Sequence, residues 1–333
     1  MVRTAARNPR ALRNSLGKAG QKAGRATAGG YFGDGLAIAA RAILDDARIA
    51  LTDDRLTDAE AVHDLRRAFK RWRSLMRLLT GPLGEPADRM RVGARDLMRA
   101  LSSSRDAQAA LDALADVGKS DLPFSATSRK TIETRLTHLR GEAEAAGFTP
   151  ELRRSATHYI EQAALSLTQW PLAALRFDAI ADELTATYRR ARRRIPAHWL
   201  TADADTLHEL RKRVVEYRHQ LELVEPLQPR AAKVWAQNAQ RLRGQLGACQ
   251  DLTVLESFTA LRGPLAPWRS KLLPLIRDRR EHHLNAAARL AKLLFAQKPK
   301  AFRAWIGALQ RARDDGTDQT PPSRRQVKTR QTP

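Results

Sequence analysis

The sequence predicts an all-α protein, and three observations carry that prediction. Ala, Leu and Arg are abundant, Val and Ile are sparse, and aromatics make up only 5% of the chain; that balance favours helix over sheet. From Leu36 to about Trp305, amphipathic patterns of helical period follow one another between short Pro, Gly or Ser breaks, with no convincing run of alternating strand residues. Two separate motifs also recur at one common offset, which is the mark of a duplicated helical unit. Hydrophobic residues make up 43% of 333 positions, enough to bury a sizeable core.

Apolar residues at three- and four-residue spacing place helices at 36–51, 58–80, 87–102, 104–117, 127–146 and 150–168. A second series follows at 175–194, 204–224, 230–247, 249–262, 270–295 and 299–313. Breaks are expected from Gly81-Pro82 to Pro86, Asp121 to Pro123, Gly147 to Pro150, and Pro226 to Pro229. The first 33 residues hold seven cations (Arg3, Arg7, Arg10, Arg13, Lys18, Lys22, Arg25) and no acid. They lack the apolar stretch of a secretory signal and read as a flexible basic arm. Residues 314–333 are polar, rich in Pro and Thr, and read as a disordered basic tail. The ordered domain is thus 34–313, with halves near 34–170 and 175–313.

The stretch VHDLRRAFKRWRSLMRLL, residues 62–79, carries two stripes. Val62, Leu65, Phe69, Trp72, Met76 and Leu79 form an apolar seam. Beside it run His63, Arg66, Lys70, Arg73 and Arg77, with Arg67 and Arg71 between. Like charges at that spacing repel, and Asp64 is the only acid in the stretch. The stripe therefore reads as an almost unpaired block awaiting an anion; the alternative is pairing with acids from neighbouring helices. Arginine forks match phosphate oxygens and stay charged at every relevant pH.

LHELRKRVVEYRHQLELV, residues 207–224, echoes this stretch at an offset of 145: His63 aligns with His208, Arg66 with Arg211 and Arg73 with Arg218. The same offset carries LMRALSSSRDAQAAL (97–111) onto LRGQLGACQDLTVLE (242–256), matching Asp106 with Asp251. The echo keeps His208, Arg211, Lys212, Arg213, Arg218 and His219 and loses two cations to Val215 and Glu222, so a two-fold site would be lopsided towards the first half. TYRRARRRI, residues 187–195, adds cations including Arg189 and Arg193 around its helix axis. Asp106 and Asp251 each follow an expected break and read as caps or as orienting partners for a cation. His63 and His208 read as boundary residues that are either structural or contact an anion most strongly when protonated.

The net charge of +23 and pI near 11.2 fit polyanionic partners: nucleic acid, acidic membrane or inorganic polyphosphate. A single cysteine, Cys249, excludes an intrachain disulfide framework and fits a cytoplasmic home. No run of eighteen apolar residues suggests a membrane span.

The paired stretches, each a His-x-x-Arg opening, a basic helix and then SSSRDAQAAL or LGACQDLTVL, resemble the conserved-histidine α-helical domain, or CHAD, family over roughly 34–313. The resemblance implies two related antiparallel helical bundles meeting across a basic cleft or pore. It also implies binding of inorganic polyphosphate and association with polyphosphate granules. Carried onto this chain, the ligand residues are His63, Arg66, Lys70, Arg73 and Arg77, then His208, Arg211, Lys212 and Arg218. Arg67 is a further candidate, and Asp106, Asp251, Arg105, Arg189 and Arg193 are possible supports. Gln250 stands where the first half has Arg105, a departure that weakens the second half of the site.

Three other classes compete. A nucleic-acid binder would use the basic ends, yet no aromatic stacking platform is evident. A phosphate-processing enzyme is disfavoured: there is no G-x-x-x-x-G-K-[ST] loop, and no E-x-E-x-K motif of the triphosphate-cleaving domains fused to some relatives. His63-Asp64 makes a poor metal dyad, since adjacent helical residues diverge by about 100°, and His282-His283 reads as a surface pair. A granule-docking scaffold overlaps the main reading. The expectation is a non-catalytic binder without cofactor or metal, with at most weak affinity for nucleic acid.

Overall fold

A computed structural model of the chain describes residues 32–101, 105–119, 124–145, 148–225 and 229–314. The expected arm and tail lie outside these residues except for their inner ends, as do Ser102, Ser103 and Ser104. Among the described residues there is no strand. The helices are α1 (Phe32–Thr52), α2 (Asp58–Leu83), α3 (Glu85–Ala100), α4 (Arg105–Val117), α5 (Ala126–Ala145) and α6 (Pro150–Gln169). They continue with α7 (Phe177–Arg192), α8 (Ala204–Val224), α9 (Pro229–Phe258), α10 (Arg269–Leu294) and α11 (Pro299–Asp314).

Local chemistry fixes several ends. Thr57 and Glu60 form a reciprocal capping box at the start of α2, and the Asp203 carboxylate accepts from the Thr206 N–H at 2.7 Å to start α8. The expected break between Gly81 and Pro86 is present but narrower, and one expected helix boundary is corrected. α2 runs on through Gly81 and Pro82, and the chain turns at Gly84 alone, with φ 67° and ψ −138°. Pro86 then falls in the first turn of α3, where its missing N–H is not needed. α9 is one unbroken helix of 30 residues where a stop near residue 248 was expected. Leu246, Cys249 and Leu252 carry its buried face through Gly244 and Gly247. An interior glycine costs only about 1 kcal/mol, and packing against α8 and α10 outweighs it.

Both apolar seams are core. Leu65, Phe69, Trp72, Met76 and Leu79 are fully buried and Val62 partly so. Leu210, Val214, Tyr217 and Leu221 are fully buried in the echo. A large core joins α1, α2, α3 and α6 to α7, α8, the first part of α9 and α11. A second core is built from both ends of the chain order: Ala110 and Leu114 of α4 and Ile132 and Leu136 of α5 meet Leu252 and Leu255 of α9 and Leu272 and Ile276 of α10. Among the described residues, one long-range junction is α2 packed on α7 and α8, and another is α4 packed on α9 and α10.

At the first junction α2 and α8 run antiparallel. Arg77 meets Glu216, the fully buried Gln220 donates to the Ser74 carbonyl at 3.0 Å, and Arg71 acts on Glu222.

Candidate functional site

The basic stripe of α2 lies along α3 on one side and meets α7 and α8 on the other. At its N-terminal end, Arg66 donates to the Leu101 carbonyl at the end of α3. Further along, Arg73 points Nη1 at the Met98 sulfur, 3.8 Å away. Arg91 and Arg95, four apart on α3, bring their charges to Arg73, and Arg91 also reaches Arg77. Arg91 carries its own partner, Asp88, at 2.7 Å, and Arg95 has Asp96 at 2.9 Å.

The centre of the cluster is Glu216 on α8, whose side chain is 13% exposed. Its Oε2 accepts from Arg213 at 3.1 Å. Its Oε1 lies 3.2 Å from Arg77 Nε and 3.9 Å from Arg190 Nη2 without a hydrogen bond. Arg190 is held by Thr187 Oγ1 at 2.7 Å. One carboxylate from α8 therefore faces arginines from α2, α7 and its own helix. Among the described residues, the buried Nε atoms of Arg73, Arg77 and Arg190 have no hydrogen-bond partner.

Electrostatics follow from that crowding. The pKa of Arg73 is lowered, by burial first and then by Arg91, against the pull of Glu216, with Arg77 and Arg95 adding to the fall. Arg77 is lowered by burial; Glu216 opposes, and Arg91, Arg190 and Arg213 add to the fall. His63, open to solvent on one side, is also lowered. Burial is its largest cause; Asp64 opposes, and Arg67, Lys70 and Arg66 reinforce it. Each effect reports a region of positive potential from which water is partly excluded.

The other expected residues divide. Arg67 and Lys212 are exposed and taken by an acid three residues earlier, Asp64 at 3.4 Å and Glu209 at 2.6 Å; such surface pairs contribute little. With Arg71 paired to Asp46 at 2.5 Å and Arg77 facing Glu216, the expectation of an almost unpaired block is corrected. Neighbouring helices supply several counter-charges. In the echo, Arg211 donates to Gln250 at 3.0 Å, the residue that replaces Arg105. Arg218 donates to Gln240 and lies 3.4 Å from Glu222, while the buried His219 bonds Glu222 at 3.0 Å. His208 is half-buried, and its Nδ1 has no partner among the described residues.

Asp251 lies inside α9, so it is no cap. Asp106 is exposed in the first turn of α4, and the side chain of Arg105 lies outside the described residues. Arg189 and Arg193 are exposed. Arg189 lines a shallow pocket with Asp182, Thr185, Pro299, Lys300 and Arg303, and it is Arg190 of that run that turns to Glu216. His283 is not a surface residue: it is buried against Asp116 at 2.7 Å and Gln245 at 2.6 Å.

Sequence reading missed Arg91, Arg95 and Glu216. The i,i+4 pair on α3 was a visible signal, but its meeting with α2 depends on the long-range packing of the two helices.

No described helix is long and apolar enough to cross a membrane. No curated protein matches the chain. The crystal structure of the CHAD domain from the plant Ricinus communis is similar at a TM-score of 0.52 and 16% sequence identity. The match covers 84% of this chain and 92% of that one, and at such identity it speaks to the fold. The family model for the CHAD domain matches residues 36–260, from α1 to just beyond α9. That span is well over half of the sequence, and the chain belongs to the CHAD domain family.

Proposed function

We propose that this protein binds inorganic polyphosphate, without turning it over, in a basic cleft bordered by α2, α3, α7 and α8. The observation that carries the reading is the convergence of Arg73, Arg77, Arg190 and Arg213 on the single carboxylate of Glu216, with buried guanidinium donors left over. A phosphate chain supplies both the missing acceptors and the missing charge. Lys70, Arg66 and His63 extend the same file towards the end of α3. Membership of the CHAD domain family favours the same ligand, and a chain so held would carry the protein to polyphosphate granules.

The cleft is read as the meeting of two duplicated halves. Helix starts support this: Phe32 and Phe177 are 145 residues apart, Asp58 and Ala204 146, Glu85 and Pro229 144, and Ala126 and Arg269 143. On that alignment the α9 residues matching Arg91 and Arg95 are Ala236 and Gln240, which fits a site weighted to the first half. The packing pairs α2–α3, α4–α9, α9–α8 and α8–α2 support a cleft or pore between the halves.

The test is a titration of long-chain polyphosphate, with duplex DNA as competitor, on wild type and on Lys70→Gln/Arg73→Gln. Tight binding, poor competition by DNA and loss in the folded double variant are expected. Equal competition by DNA with an unaffected variant would move the affinity to nonspecific basic surfaces.

A further inference from the structure

We infer that Glu216 is a built-in counter-anion, which holds part of the phosphate site in the ligand-free protein and sets how strongly negative a ligand must be to enter. This rests on the proposed phosphate-binding role of the surrounding arginines and adds a regulator to it.

Glu216 is poorly matched to a purely structural salt bridge. Its Oε2 is well bonded to Arg213. Its Oε1 is buried, 3.2 Å from one guanidinium and 3.9 Å from another, and hydrogen-bonded to neither. Facing it are the buried Nε of Arg77, equally unmatched, and Nη2 of Arg190; the buried Nε atoms of Arg190 and Arg73 have no partner among the described residues either. A half-satisfied buried network is costly: here the Oε1 acceptor has no well-aligned donor, and the arginine Nε donors have no well-aligned acceptor. A carboxylate has two oxygens and one charge. A phosphoryl unit offers more oxygens at a higher charge density, so it can take over Arg77 and Arg190 while Arg213 keeps hold of Glu216.

The position matters as much as the geometry. Glu216 sits at the α2–α8 junction, one turn of α8 from the buried Gln220–Ser74 contact, so it is fixed where both halves meet. Without any anion there, Arg77, Arg190 and Arg213 would face one another uncompensated in a crevice. With a phosphate bound, the Glu216 charge lies a few ångströms from the ligand and repels it. Such a residue lowers affinity while keeping the empty site folded. The opposing possibility is that Glu216 merely aims the arginines at the ligand, in which case its loss weakens binding.

The experiment uses sodium tripolyphosphate as the probe, titrated calorimetrically into the full chain as wild type, Glu216→Gln and Glu216→Asp. The Gln variant is expected to bind about tenfold more tightly, and the Asp variant, whose carboxylate is drawn back from Arg77 and Arg190, more tightly by a smaller factor. The Gln variant should also melt below wild type in phosphate-free buffer and regain more on adding tripolyphosphate than wild type does. If wild type binds and the Gln variant binds equally or more weakly, Glu216 is a positioning or structural residue and the inference is overturned. Should the Gln variant fail to fold, affinity of the Asp variant at or below wild type overturns it in the same way. If neither tripolyphosphate nor long-chain polyphosphate binds wild type, the underlying reading falls, and the inference with it.

Discussion

At the residue scale, His63 and Gly84 make opposite kinds of demand on the chain. His63 has its pKa lowered in the ligand-free protein, by burial first, with Asp64 opposing and Arg67, Lys70 and Arg66 reinforcing. An unperturbed histidine titrates at about 6.5, so the lowered His63 carries less charge near neutral pH than a free imidazole. A phosphate oxygen beside it raises the pKa, so binding takes up a proton at any pH between the two values. Affinity should fall as pH rises from about 6 to 8 and level off above the ligand-bound pKa. Titrations across that range should show the slope in wild type and lose it in His63→Gln; a flat wild-type profile removes histidine charge from the mechanism. Gly84 instead answers a backbone need. It is the sole positive-φ residue among those described, and a β-carbon added there would meet nothing within 4 Å. Gly84→Ala should destabilise by about 1–3 kcal/mol through backbone strain alone, read from urea midpoints. A change within a few tenths would mean that the α2–α3 turn relaxes.

At the scale of elements, the walls of the proposed cleft depend on how α3 and α6 are fastened to α2. Trp72 Nε1 donates to Tyr159 Oη at 2.7 Å, and that hydroxyl donates to the Met90 carbonyl at 2.5 Å. The Phe69 and Tyr159 rings meet edge to face at 5.6 Å. One buried hydroxyl thus ties three helices. Tyr159→Phe keeps the ring contact and strands the Trp72 N–H, which should cost about 1–3 kcal/mol; an unchanged denaturation midpoint would show that the helices repack without it. The apolar faces that make these contacts were legible in sequence, because Leu65, Phe69, Trp72 and Met76 repeat with helical period and all are buried. Helix ends were less legible. Gly81-Pro82 looks like a stop, and a boundary was expected near residue 248, but each local penalty is smaller than the packing that continues the helix. The basic stripe was legible too, while its partners were not: Asp46 lies on α1 and Glu216 on the other half of the chain. No local pattern brings Arg77 to Glu216; only the antiparallel packing of α2 on α8 does.

For the whole molecule, the second core joins α4 and α5 to α9 and α10, away from the proposed cleft. Asp116 of α4 receives both arms of Arg279 at 2.9 Å and the His283 Nε2 at 2.7 Å, both from α10. His283 has its pKa lowered, by burial first; Asp116 opposes through a hydrogen bond and its charge, and Arg279 and His282 reinforce. The buried His219 at the α2–α8 junction is also lowered, again by burial first, against its bond to Glu222. The α2–α8 and α4–α10 contacts thus each contain a histidine whose pKa is lowered by burial. Below its ordinary value of about 6.5 the unfolded chain binds more protons than the folded one at these sites. Their stabilising contribution is present above that pH and is lost as pH falls through the lowered folded values. Asp116, held well below the usual carboxylate range although its burial works the other way, acts in the same direction at lower pH, with its contribution lost only below about pH 4. A net charge of +23 grows on acidification, and its self-repulsion adds to the trend. The thermal midpoint should therefore drop between about pH 7 and 5, before the carboxylates titrate. His283→Gln should flatten part of that drop while lowering the midpoint at neutral pH, because the amide cannot change charge and replaces a fitted ring. A midpoint that rises on acidification would reverse the assignment, making protonated histidine the form that stabilises these helix contacts.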